Sequence, residues 1–128
     1  MATITAIATA VPDLDFEHDY RRWALSRLGE GREARLFERM AHRSGIEHRW
    51  SVLSEEDARL DEGVGFYGGA APSTAARMEI YAREAPELAL KAIAGLLRLG
   101  DPTHIVVASC TGFVAPGIDQ IIARCAAR

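Results

Sequence analysis

A chain of 128 residues with 48% apolar side chains is long enough for one domain or a large part of one. Its net charge of −3 and pI near 5.8 argue against a nucleic-acid binder. The two cysteines, Cys110 and Cys125, make neither a disulfide framework nor a zinc site. The N-terminus lacks the basic start of a signal peptide, and no apolar run approaches the ~18 residues of a membrane span. The composition thus predicts a soluble, cytoplasmic protein with no membrane span.

Ala2 to Ala10 are small and β-branched and end at Val11-Pro12-Asp13, which predicts a buried strand closed by a proline turn. Asp15 is placed to cap a helix reaching Leu28, with Phe16, Tyr20, Trp23, Ala24 and Leu28 at helical spacing and Gly29 and Gly31 after it. A second helix, from about Arg32 to His42, carries Leu36, Phe37 and Met40 on one face and stops at Ser44-Gly45. Ile46 to Val52 alternates weakly, as a short strand or an extended loop. Ser54 with Asp57 is a weak capping box that can open a short helix ending at Gly63. Gly63 to Pro72 is a glycine-rich loop. A long helical pattern then runs from Ser73 to Leu99, with a kink or break expected at Pro86.

Gly100-Asp101-Pro102 terminates that pattern. His104 to Ser109 is mostly apolar, as in a strand buried on both faces. Cys110 to Pro116 is the loop after it, and Gly117 to Ala126 starts a further helix. Strands alternating with helices predict an α/β fold. The last helix has no strand after it, so the expectation is a segment, residues 1–128, of a longer domain.

Four signals bear on chemistry. Gly63 to Gly68 matches G-x-G-x-x-G, but acidic residues precede it and Gly69 to Pro72 delay the next helix, which favours a plain loop over a nucleotide site. Arg35, Arg39 and Arg43 form a row at i, i+4 and i+8, within a stretch from Tyr20 to Trp50 holding eight arginines against four acids. That row suits an anion such as a phosphate; by charge pattern alone, a solvated face partly neutralised by Glu38 and Glu47 is the simpler account. Cys110 follows an apolar strand, where α/β ligand sites cluster; it is a nucleophile only if a base such as His18, His42 or His48 reaches it, His104 lying too far away at the opposite end of the same strand, and is otherwise a small buried thiol. The histidines lack metal-ligand spacing and read as surface residues, and Cys125 reads as packing or incidental.

Thr103-His-Ile-Val-Val-Ala-Ser-Cys-Thr-Gly-Phe-Val-Ala-Pro-Gly-Ile-Asp-Gln120 resembles a segment of bacterial type III polyketide synthases, the chalcone- and stilbene-synthase-like condensing enzymes. Pro72 to Tyr81 followed by Glu84 to Ala89, with its internal proline, is similar to the helix before that segment. Arg39 to Arg49 is similar to the family's basic N-terminal stretch. The likeness covers nearly the whole chain. It implies the N-terminal portion of a thiolase-like fold of layered αβαβα architecture, in a homodimeric acyltransferase. That enzyme condenses an acyl-CoA starter with malonyl-CoA by decarboxylative Claisen chemistry, with no cofactor beyond these substrates.

The resemblance also sets expectations for residues. The family's Cys-His-Asn triad falls after Arg128, so Cys110 is not the nucleophile, no catalytic residue is expected here, and the chain alone is expected to be inactive. Cys110, Thr111 and Phe113 match active-site wall positions, and Arg39 and Arg43 match cations that bind CoA phosphates. A third cationic position falls on Leu36, beside Arg35. Ala115 stands where plant members carry a methionine that reaches the partner subunit. Two other readings are open: a non-catalytic remnant acting in dimerisation or binding, and an initiating ketoacyl synthase of the same fold.

Overall fold

The computed structural model describes residues 1–61, 63–96, 100 and 102–126. They carry mixed structure: β1 Leu14–Asp15, α1 Glu17–Leu28, α2 Arg32–Ser44, β2 Trp50–Ser51, α3 Thr74–Ala94 and α4 Ile118–Ala126. The chain divides into two compact units, Pro12–Pro72 and Met1–Val11 with Ser73–Arg128.

In the first unit, β1 and β2 pair antiparallel, with Leu14 opposite Ser51 and Asp15 opposite Trp50. Tyr20 of α1 is its aromatic centre. The Phe16 ring meets it edge-on at 6.5 Å, Trp23 lies at 6.1 Å and Phe37 of α2 at 6.5 Å. Ala24 and Ala34 are buried where α1 and α2 approach, since methyl side chains let two helices come close. Gly29 ends α1 at φ 65°, its amide donating to the Leu25 carbonyl at 3.0 Å. Gly45 ends α2 in the left-handed region at φ 66°, a conformation that costs glycine nothing.

Three expectations change in this unit. Asp15 does act at the start of α1, but one residue earlier than a standard cap: Phe16 is the boundary residue, and the Asp15 carboxylate takes the Glu17 amide at 3.1 Å. The inward face of α2 is Ala34, Phe37 and Ala41, while Leu36 and Met40 are exposed. No helix forms over residues 55–61. The Ser54 hydroxyl takes the Asp57 amide at 3.1 Å and its carbonyl takes the Ala58 amide at 2.8 Å, and this single turn does not propagate.

In the second unit, the Ser73 hydroxyl accepts the Ala76 amide at 3.1 Å and opens α3. The helix continues through Pro86, which is buried, instead of breaking there. Proline removes one main-chain bond, and the turns on either side, together with the burial of the ring, keep the helix intact. Gly95 follows Ala94, its amide donating to the carbonyls of Ala92 and Ile93. The expected continuation over Leu97, Arg98 and Leu99, and Asp101 of the terminating turn, lie outside the described residues. Ile122 of α4 is buried, and α4 packs on α3.

The two expected strands of this unit are not strands. Ala2 to Ala10 and His104 to Ser109 have no regular structure, and Ile4, Ile7 and Val106 are 79%, 80% and 93% exposed. A strand needs a neighbour for its amides and carbonyls. The one ladder among the described residues joins β1 to β2 in the other unit. The architecture is therefore helical with a small two-stranded sheet, compatible with a fragment of an α/β fold. No helix among the described residues is long and apolar enough to cross a membrane.

Candidate functional site

The expected site residues fall in both units, Arg39 and Arg43 in Pro12–Pro72 and Cys110, Thr111 and Phe113 in the other. Each place is built separately.

Arg35, Arg39 and Arg43 are exposed along α2, as helical spacing dictates. None of them has an ion pair or side-chain hydrogen bond among the described residues, and neither do Glu38 and Glu47. The two acids thus form no direct ion pair with the row among the described residues, although Glu38 lies three residues from Arg35, a spacing at which helix side chains can meet. The arginines elsewhere in this unit contrast sharply. Arg22 binds Asp19 at 2.6 Å and Arg59 binds Asp61 at 2.8 Å. Both of those pairs border a cavity of about 570 Å³ walled by Leu14, Phe16, Trp23 and Leu60. The cavity arginines already hold carboxylates, whereas those of α2 have their donors free for an anion.

A charged cluster joins the two strands to α1. The Asp15 carboxylate meets His48 Nδ1 at 2.7 Å and accepts the Arg49 amide at 2.9 Å as well as that of Glu17. The His48 hydrogen bond, then the Arg49 and Glu17 amides, hold Asp15 down to about 2. His48 stacks on Trp50 at 5.0 Å. Glu17 is buried and paired with both Arg21 and Arg49, and the Arg49 guanidinium lies 4.2 Å from the centre of the Tyr20 ring. His48, expected as a plain surface residue, thus has a structural partner 33 positions away, for which no local pattern is a signal.

In the other unit, Cys110 is a free, exposed thiol with no hydrogen-bond partner among the described residues, so the buried-thiol alternative does not hold. Its preceding segment is not packed in a sheet, so nothing encloses it. Cys125 is likewise exposed. Thr111 is exposed, and Phe113 is 98% exposed. A cavity of about 360 Å³ is lined by Tyr81, Ser109, Gly112, Phe113 and Asp119, among others. Of the three expected wall residues Phe113 borders it; Cys110 and Thr111 are not among its lining residues. Tyr81 donates its hydroxyl to Ser109 Oγ at 2.8 Å. Neither residue was a sequence-level candidate, because their contact spans 28 positions.

The Gly63–Gly68 segment is a closed loop. Gly63 N–H donates to the Gly68 carbonyl at 2.7 Å, and Gly68 N–H to that of Gly65 at 3.3 Å. These amides point inward instead of at a phosphate, and α3 starts only at Thr74. The described residues hold no group of three or more His, Cys, Asp or Glu side chains fit for a metal ion. No protein-family model matches the chain, and no solved structure matches it.

Proposed function

We propose that this chain is the front segment of a type III polyketide synthase, an acyltransferase that extends an acyl-CoA starter with malonyl-CoA. In this reading Arg39 and Arg43 hold CoA phosphates, and Cys110, Thr111 and Phe113 contribute to the wall of the acyl cavity. The triad residues belong to sequence after these positions, so the segment binds and shapes but does not itself catalyse.

One observation carries the reading beyond the sequence likeness. Arg39 and Arg43 are one turn apart on α2, exposed, and without an ionic partner among the described residues, while arginines of the neighbouring elements are paired. Two uncompensated guanidinium groups on a rigid helix repel each other, a modest cost that a bound pyrophosphate or phosphate reverses.

The test is equilibrium binding of CoA to the 128-residue chain by calorimetry, with dephospho-CoA and an acyl carrier protein as comparisons. Arg39→Ala and Arg43→Ala are each expected to weaken CoA binding about tenfold, the size of one charge-assisted hydrogen bond. Affinity should also fall as salt rises. Absence of CoA binding, or binding unchanged in the double variant, would sink the reading. Binding of the carrier protein in place of CoA would favour the initiating ketoacyl synthase.

A further inference from the structure

Residues 104–116 make no main-chain hydrogen bond among the described residues, although they include every expected wall residue. Apart from the local contact between Thr103 and His104, one side-chain hydrogen bond reaches this stretch, from Tyr81 of α3 to Ser109. The same tyrosine makes a second contact. A Cβ built on Gly112 would overlap the Cδ1, Cε1 and Cζ atoms of the Tyr81 ring. The ring therefore lies directly on the Gly112 backbone, an approach that only glycine permits.

Ser109 and Gly112 flank a bend of the chain, and the residues at that bend are Cys110 and Thr111. Neither has a hydrogen bond of its own among the described residues. We propose that Tyr81 is the positioning residue of this bend: its hydroxyl holds one end, its ring supports the other, and together they set where Cys110 and Thr111 project. Any role in shaping an acyl cavity rests on the polyketide reading; the clamp itself does not.

The geometry makes two separable demands. Tyr81→Phe keeps the ring on Gly112 and removes the bond to Ser109, so it should equal Ser109→Ala. Gly112→Ala keeps both hydroxyls and pushes the ring away. Because the first two substitutions break the same bond, the double variant should be no looser than either single one.

The experiment is backbone ¹⁵N relaxation on the full chain. Cys110 and Thr111 are expected near the order parameter of about 0.85 typical of rigid backbone in the parent, and below about 0.6 in Tyr81→Phe, Ser109→Ala and Gly112→Ala. Helices α3 and α4 should stay near about 0.85 throughout. The clamp is overturned if Tyr81→Phe leaves residues 110–111 as ordered as before, or if α3 and α4 loosen equally, which would mark a general stability effect. A loosened bend in a chain that binds no CoA keeps the clamp and removes the polyketide reading; an unmoved bend in a chain that binds CoA through Arg39 and Arg43 does the reverse.

Discussion

Replacing Glu17 with alanine removes the one buried carboxylate among the described residues and leaves two guanidinium groups, those of Arg21 and Arg49, without their shared partner. The Glu17 side chain is 9% exposed and each arginine side chain 36%. Removing one member of a fully buried pair costs about 3–5 kcal/mol. Here the two arginines partly rehydrate, which lowers the expected loss to about 2–3 kcal/mol. Loss of the acid from the first turn of α1 adds a few tenths through the helix dipole. Trp23 and Trp50, the chain's two tryptophans, both lie in the Pro12–Pro72 unit, so tryptophan emission in urea follows that unit. With a slope of about 1 kcal/mol per molar for a unit this small, the midpoint should drop by about 2–3 M. Glu17→Gln keeps an acceptor but not the charge and should fall about halfway. A Glu17→Ala midpoint within about 0.3 M of the parent would show that the cluster contributes nothing net and refute the reasoning.

Other outcomes follow from the same structure. Asp15 is held near 2, below its ordinary 3.8, so its contribution is present above about pH 4 and is lost as pH falls towards 2. Asp15→Asn should therefore lower stability at neutral pH, with the gap to the parent closing in acid; a gap that is constant down to about pH 2 would contradict the assignment. Ser73→Ala removes the hydroxyl that caps α3 and should cost about 1 kcal/mol, read by far-UV circular dichroism in urea, with Ser73→Asp restoring most of it. Full stability in the alanine variant would show that the cap is replaced by solvent. The 128-residue chain should form no polyketide from malonyl-CoA, because nucleophile, base and oxyanion donor act as a unit and none is expected among its residues.

Much of the helical framework was legible in the residues. Phe16, Tyr20, Trp23 and Ala24 recur at helical spacing and do pack inward, and Gly29, Gly45 and Ser73 punctuate the helices where their backbone chemistry requires. Pattern reading failed where two answers were locally equivalent. On α2, Leu36, Phe37 and Met40 are as apolar as the inward set Ala34, Phe37 and Ala41; the approach of α1 selects the smaller residues. The arginine row was visible, but its freedom from Glu38 and Glu47 was not, since pairing depends on side-chain direction and not on the count of charges.

The helices that form were decided largely within the sequence itself, because each closes its own hydrogen bonds within four residues; a start signal alone did not suffice at Ser54, where one turn forms and stops. Strands were decided only in three dimensions. Val-Val-Ala at 106–108 and Ile-Thr-Ala at 4–6 have strand composition, yet neither has a ladder partner, while the plain dipeptide Leu14–Asp15 is a strand because Trp50–Ser51 lies beside it. The same division holds for side chains. The ties from Asp15 to His48 and from Tyr81 to Ser109 span 33 and 28 positions, so only the folded path of the chain brings their polar atoms within 3 Å.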